Sequence, residues 1–251
     1  MILNKILILT LIFLTSVNFA TTKETFNLPL SQSLGFSVNN RWETHKTEIR
    51  TLSKNPNCCS DFLTGDGNSY GFSLEYLQKL NEDDLSFSVG FSLGYQYGKS
   101  LIFYDEQEAM IVNGEPYTGI FRHSVEFKSN YLIPALIINM EYSDFVLRLN
   151  TGFGIFISND YQQKEEIIYP EDRGVFEDTK TRVRNLVNSS INELATPLDL
   201  SFSIGYKLPL NNDYQLFVVP SFYGYYQSSI IKELTWYNYG FGLRFSFIFN
   251  F

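Results

Sequence analysis

The sequence predicts an all-β protein, an eight-stranded antiparallel up-and-down transmembrane β-barrel, and three observations predict it. Residues 236–251 carry aromatic or aliphatic side chains at odd positions and small or polar ones at nearly every even position, which is typical of a strand with two different faces. Seven earlier stretches alternate in the same way, and the connections between them are by turns long and short, as in membrane barrels. The chain also contains 17 Tyr and 23 Phe, which suit strands and interfacial aromatic girdles.

Residues 1–20 are predicted to be a secretory signal peptide. Lys5 supplies the basic n-region, residues 6–17 form a short apolar segment, and Ala20 is the expected cleavage residue. An uncleaved anchor is the alternative, which the shortness of the apolar segment disfavours. Residues 21–251 are then one barrel domain, and because no later stretch has about 18 consecutive apolar residues, a helical membrane span is excluded.

The predicted strands share one pattern, a bulky apolar face and a face rich in Ser, Gly and polar residues. They occupy residues 28–39, 69–80, 85–98, 131–142, 145–157, 196–208, 214–227 and 236–251. A two-residue turn at Ser143 and Asp144 places Tyr142 opposite Phe145, which keeps both on the apolar face. Outward tyrosines near the strand ends would form two girdles, an inner one from Tyr76, Tyr142, Tyr206 and Tyr214 and an outer one from Tyr70, Tyr97, Tyr226 and Tyr239.

The long connections are predicted at residues 40–68, 99–130 and 158–195, with a shorter one at 228–234. The second contains Asn113 and Gly114, a dipeptide favoured in type I′ hairpin turns. The third admits two interpretations. Val183, Val187, Ile191 and Leu194 recur at helical spacing, whereas a turn at 178–180 would make an external hairpin. We favour the hairpin.

A secreted β-sandwich is the alternative fold, because it would also use short alternating strands. It explains neither the alternation of connection lengths nor the bulky rows on nearly every strand. The formal net charge of −8 argues against nucleic acid as a partner.

Several stretches resemble the OmpA-like and PorT-like families of bacterial outer-membrane β-barrels, in their barrel domain only. They are Tyr131-Leu132-Ile133-Pro134-Ala135-Leu136, Asn150-Thr151-Gly152-Phe153-Gly154, YGFGLRFSF at 239–247, and Asn57-Cys58-Cys59 followed by Gly65-Asp66-Gly67. The terminal Phe251 resembles the final aromatic that the barrel-insertion machinery recognises. The resemblance implies a place in the bacterial outer membrane after export across the inner membrane, with outer-membrane lipid and the insertion machinery as partners. It gives no activity, because these families are functionally mixed.

The sequence predicts no enzyme, no cofactor and no metal site. His123 and Ser124 are adjacent, so in a strand they point to opposite faces and cannot act together. His45, between Glu43 and Glu48 in the first predicted loop, could bind a metal weakly, but we expect it in a solvated loop. Cys58 and Cys59 are expected to form a local disulfide that braces this loop, a redox or metal site being the alternative.

The polar face of the strands predicts a set of charges inside the barrel, Glu75, Glu141, Arg148 and Arg244. We expect them to form an internal ion-pair network, because an isolated buried ion is costly. A wet interior in which each charge is hydrated is the alternative. The expected function is therefore a monomeric barrel with a plugged lumen and a structural or surface-interaction role through its outer loops, whose partner the sequence does not identify. A small passive channel is the second possibility.

Overall fold

The computed structural model describes residues 31–47, 64–81, 83–112, 114–171, 174–189, 197–211, 216–231 and 234–251. The described chain is built of strands: β1 Gln32–Thr47, β2 Thr64–Lys79, β3 Leu85–Val112, β4 Glu115–Tyr142, β5 Phe145–Phe153, β6 Ile155–Tyr169, β7 Val183–Ser189, β8 Leu198–Tyr206, β9 Leu208–Asn211, β10 Leu216–Ile231 and β11 Leu234–Asn250. Helices with the length and apolar character to cross a membrane are not found in this part of the chain. The predicted signal peptide at 1–20 lies outside the described residues.

Eight of these strands close into an antiparallel ring. Each pairs with its neighbours in the order β3, β2, β1, β11, β10, β8, β5 and β4, and β3 pairs with β4 to complete the circle. The C-terminal strand β11 closes the barrel against β1, with Leu34 opposite Phe249 and Trp42 opposite Phe241. The predicted fold class, an eight-stranded antiparallel up-and-down barrel, is confirmed.

The side chains alternate between the outside and the inside of the ring. In β11 the apolar residues from Tyr239 to Phe249 are 38–50% exposed, whereas Arg244, Ser246 and Ile248 between them are 1–7% exposed. The four tyrosines of the predicted outer girdle lie opposite one another in pairs, Tyr70 with Tyr97 across β2 and β3, and Tyr226 with Tyr239 across β10 and β11. Tyr214 of the predicted inner girdle lies outside the described residues. The barrel is thus apolar outside and largely polar inside.

Ile248 is the inward residue that interrupts the alternation of the last strand, and the structure gives a reason for it. It is buried with Val146 and Val219 in an apolar cluster inside the barrel. The cluster lies at the end of the barrel where the short connections at 81–84 and 143–144 are found, which we call the turn end. An aliphatic side chain is favoured there because its neighbours are also apolar.

Four strands continue past the opposite end of the ring as an open sheet, which we call the extension. It consists of residues 99–112 of β3, 115–130 of β4, and the strands β6 and β7. The hairpin of β3 and β4 stays in register up to Val112 opposite Glu115, so its turn falls at the predicted dipeptide, where Gly114 has φ 87°. Only glycine adopts this left-handed conformation without a steric penalty.

The predicted long connections at 40–68, 99–130 and 158–195 are therefore wrong for the residues the structure describes. β1 continues to Thr47, β2 begins at Thr64, and β3 and β4 form a continuous hairpin. In the third connection the favoured hairpin is confirmed, since Phe176 and Thr181 are joined by a backbone hydrogen bond of 2.9 Å around the predicted turn at 178–180. The sequence did not show these strands because their outward residues are mostly polar, with only interrupted apolar positions such as Leu101 and Phe103, so they lack the continuous apolar outer row of the other strands.

Candidate functional site in the barrel lumen

A buried ion pair crosses the lumen between β2 and β5. Arg148 donates from Nη1 to Oε2 of Glu75 at 2.7 Å and from Nε to Oδ1 of Asn139 at 2.9 Å. Ser37 donates to the other oxygen of Glu75 at 2.5 Å, and its hydroxyl lies 2.8 Å from that of Ser246. Both charged side chains are at most 4% exposed. The pair is fully removed from bulk water, so its geometry decides its stability.

A second ion pair crosses the lumen further from the turn end, between β1 and β8. Arg41 donates from Nη1 to Oδ2 of Asp199 at 2.9 Å and from Nε to the hydroxyl of Tyr223 at 3.2 Å. Its guanidinium also lies 4.7 Å from the ring centroid of Tyr225, and Tyr223 donates to Asn39 at 3.2 Å. Tyr223 is 1% exposed, so its ring occupies the interior rather than the surface. We call Glu75, Arg148, Arg41 and Asp199 the lumen network.

A third polar layer lies next to the extension, and the structure corrects the expectation that His45 lies in a solvated loop. His45 is in β1 and is 5% exposed. Its Nδ1 accepts a hydrogen bond of 3.0 Å from Trp236, and its Nε2 lies 3.1 Å from Glu43. Glu43 also accepts hydrogen bonds from Ser69 and Asn238. The residue was misplaced because the sequence shows no apolar outer row beyond Trp42.

The structure brings together three of the four predicted lumen charges and places the fourth elsewhere. Glu75 is paired with Arg148, and Arg244 lines the same small cavity as Glu75, with its guanidinium 4.8 Å from the ring centroid of Tyr223. Glu141 forms its ion pair with Lys207, at 3.0 Å, instead of with Arg148. The predicted contact fails because Arg148 extends across the lumen to β2 and not along the turn end.

The lumen residues that sequence reasoning missed are Arg41, Glu43 and Asp199. Arg41 and Glu43 continue the inward parity of β1, from Ser37 and Asn39, into the stretch predicted to be a loop. Asp199 lies on the polar face of a predicted strand, but its partner was not recognised. Extending the period-2 pattern of β1 without requiring an apolar outer row would have placed Arg41 and Glu43 on the interior surface, opposite the polar face that carries Asp199.

Two small cavities lie inside the described part of the lumen. One cavity of about 40 Å³ lies between the two ion pairs of the lumen network, and another of about 30 Å³ lies beside Glu43 and His45. Cavities of this size have room for a few waters at most. Cys58 and Cys59, the predicted disulfide, lie outside the described residues.

The extension carries two further groups of charged residues. On its outer face Arg122 forms two hydrogen bonds with Asp105, at 2.8 and 2.9 Å, and these lower the pKa of the Asp105 carboxyl. On its inner face His123 lies near Glu106, Glu108 and Glu165, the first two of which form with it a group of potential metal ligands. The sequence predicted no metal site. The sequence feature that could have indicated this group is the hairpin dipeptide at 113–114. A hairpin centred there places His123 opposite Tyr104 and diagonal to Glu106.

The barrel was compared with known proteins. It is similar to the outer membrane protease OmpT from Escherichia coli, with a TM-score of 0.36 and 11% identity over 92% of this chain and 100% of that chain. It is also similar to Ail of Yersinia pestis in complex with the heparin analogue sucrose octasulfate, with a TM-score of 0.31 and 11% identity over 86% of this chain and 98% of that chain. Neisserial surface protein A matches with a TM-score of 0.31 and 9% identity over 88% of this chain and 97% of that chain. These TM-scores are too low to carry an argument about this chain. No family model and no curated protein matches the sequence.

Proposed function

We propose that the chain is a bacterial outer-membrane barrel with a plugged lumen, which holds the extension outside the cell in a structural or surface-interaction role. The observation that carries this proposal is the pair of buried ion bridges, Glu75–Arg148 and Arg41–Asp199, which reach across the lumen at successive levels. An eight-stranded ring leaves an interior that side chains can fill, and here the cross-lumen side chains include Tyr223 and both arginines.

The outer surface supports insertion in a bilayer. The outward residues of β3 from Leu85 to Tyr95 form an unbroken apolar row, most of them 39–59% exposed. Roughly ten residues of strand rise about 33 Å, or about 25 Å along the membrane normal at a tilt of about 40°, which matches the apolar band of outer-membrane barrels. Exposure of such a row to water would be strongly unfavourable.

The outward row of β4 supports a boundary of the membrane at the base of the extension. From Tyr142 to Leu132 its outward residues are apolar, and from Asn130 to Arg122 they are polar or charged. Lys99 and Lys128 both form ion pairs with Glu126 just beyond this change, at 3.2 and 3.1 Å. Charged side chains at this level suit the headgroup region and water rather than hydrocarbon.

The resemblance to OmpA-like and PorT-like barrels favours export by the predicted signal peptide and insertion by the machinery that recognises the C-terminal strand ending in Phe251. We expect a monomer. We also expect no catalytic activity, because in the described chain His45 contacts Trp236 and Glu43, and carboxylates surround His123 instead of a nucleophile.

Single-channel conductance in a planar bilayer tests the plugged lumen. We expect the folded chain to show no steady conductance, because the ion pairs and Tyr223 leave only small cavities. Arg41→Ala, Tyr223→Ala, Arg148→Ala and Ile248→Ala combined should open a pore, since together they remove large side chains at both levels of the lumen network and at the turn end. Asp105→Ala on the outer face of the extension is the matched control and should stay silent. Steady channels from the unmodified chain would establish the passive pore instead.

A further inference from the structure

His123 occupies the centre of the inner face of the extension. It lies in β4, between Tyr104 of β3 and Glu165 of β6 in the cross-strand register. Its ring stacks on Tyr104, with centroids 4.9 Å apart and planes inclined by 15°. The imidazole is 2% exposed. Two neighbouring strands therefore fix both the plane and the direction of this ring.

Carboxylates surround one nitrogen of this imidazole. Nε2 of His123 lies 3.9 Å from Oε2 of Glu106, 4.0 Å from Oε1 of Glu108 and 3.9 Å from Oε1 of Glu165. The potential ligand atoms of Glu106, Glu108 and His123 all lie within 4.8 Å of one another. These separations are too long for direct hydrogen bonds. They are close to the distance of about 3.4 Å that separates two ligands bonded at about 2.1 Å to a tetrahedral ion.

The charges of the group do not balance. Glu165 is compensated by Arg184, whose Nε lies 2.5 Å from its Oε2. Within the described part of the chain, Glu106 and Glu108 have no lysine or arginine as a partner. Oε2 of Glu106 is also buried without a hydrogen-bond donor in that part of the chain. A buried carboxylate oxygen without a donor is costly, and a bound cation would satisfy it.

We propose that Glu106, Glu108 and His123 bind a divalent transition-metal ion, with Zn²⁺ as the best match. One imidazole nitrogen and two carboxylate oxygens are a donor set that zinc accepts at these distances. Three protein ligands leave a fourth position open, and the side chains of Glu106 and Glu108, 34% and 41% exposed, give access to it from solvent. The ion would join β3 to β4 and stiffen the hairpin. This site is independent of the state of the lumen and of membrane insertion.

Zinc binding by the folded chain in detergent micelles tests the site, with isothermal titration calorimetry as the readout. The titration is made in a Cys58→Ser and Cys59→Ser background, because thiolates bind zinc themselves. We expect one ion per chain at neutral pH. Binding should be lost at acidic pH, because an imidazole must be neutral to act as a ligand.

Substitutions locate the ion. Glu108→Gln and Glu106→Gln change partly exposed side chains and should each weaken binding about tenfold or more, as His123→Gln should if it folds. Glu166→Gln is the matched control, because it removes the same charge from the outer face of β6, opposite Arg122. His45→Gln controls for the other imidazole. Absence of zinc binding, or binding that survives Glu108→Gln and Glu106→Gln but is lost in His45→Gln, would overturn the proposal.

Discussion

Arg148 shows how a single residue organises the interior of the barrel. Its guanidinium bonds to Glu75 on the far side of the lumen and to Asn139 on the neighbouring strand. Removal of either charge would leave its partner buried and unpaired in a space of low dielectric. Glu141 offers the contrast, because it and its partner Lys207 each keep 19% of the side chain exposed, so water can replace the lost partner.

We expect Arg148→Leu and Glu75→Leu each to lower the free energy of unfolding by about 3–5 kcal/mol. The double variant should lose less than the sum of the two, because it removes both charges together. Equilibrium unfolding in lipid vesicles measures these changes.

Glu141→Leu is the control and should cost about 1 kcal/mol or less, since its ion pair is partly solvated. Small losses that simply add at Arg148 and Glu75 would support a hydrated lumen instead of a network of buried pairs.

The hairpin of β3 and β4 is one element with two opposite amphipathic patterns. In the ring its outward residues are apolar and mostly exposed. In the extension the inward residues Phe121, Val125 and Phe127 are buried, and the outward residues of β4 from Asn130 to Arg122 are polar or charged. On β3 the outward row is mixed, since Leu101 and Phe103 are exposed there beside Asp105. Phe121 packs with Ile167, Phe176 and Met110 to give the extension a small core of its own. The extension therefore has a source of stability apart from the ring.

Because of this division, removal of residues 105–122 with an Asn-Gly turn in their place should leave the ring assembled. Tyr104 and His123 face each other in the hairpin, so the new turn preserves the register of the remaining pairs. Folded and boiled samples should still migrate differently in an SDS gel.

Deletion of Val89 alone is the control for this element. It shifts the register of β3 by one residue and turns its apolar row toward the lumen. We expect no folded band from this variant, and equal tolerance of the two deletions would contradict the topology.

Both the outer surface and the lumen of the barrel contribute to its stability. Its ring is covered by exposed aromatic and aliphatic side chains, its lumen holds charged and hydroxyl groups, and its turn end is filled by Val146, Val219 and Ile248. In the proposed outer-membrane setting, the bilayer takes part in the folding of the barrel, because contact with lipid removes the outward apolar side chains from water.

A charge on the lipid face tests this arrangement at the scale of the molecule. Phe245 lies opposite Val38 and Pro220 near the middle of the apolar belt, so Phe245→Arg should cost about 2–4 kcal/mol in lipid vesicles. Gln107→Arg, at an exposed position of the extension, is the control and should change stability by no more than about 0.5 kcal/mol. Comparable losses at both positions would argue against a membrane at this level.

The sequence by itself determined the ring: its strand number, the inward and outward faces, and the tight turn between Tyr142 and Phe145. These follow from period-2 alternation, which is a local property of the chain and is strongest where one face meets lipid. Residues 40–47 and most of 99–130 were predicted to be loops but form strands. The prediction failed there because the strands no longer carry a continuous apolar outer row, which was the feature used to recognise them.

Only the tertiary structure decided which polar residues meet. Parity alone places Glu75, Arg148, Arg41 and Asp199 inside the barrel, but their pairing depends on how far each side chain reaches across a closed ring. That distance is set by the curvature and stagger of all eight strands together. The same holds for His123, whose neighbours Glu106 and Glu165 lie on two different strands. Such contacts join residues far apart in sequence, so no local pattern contains them.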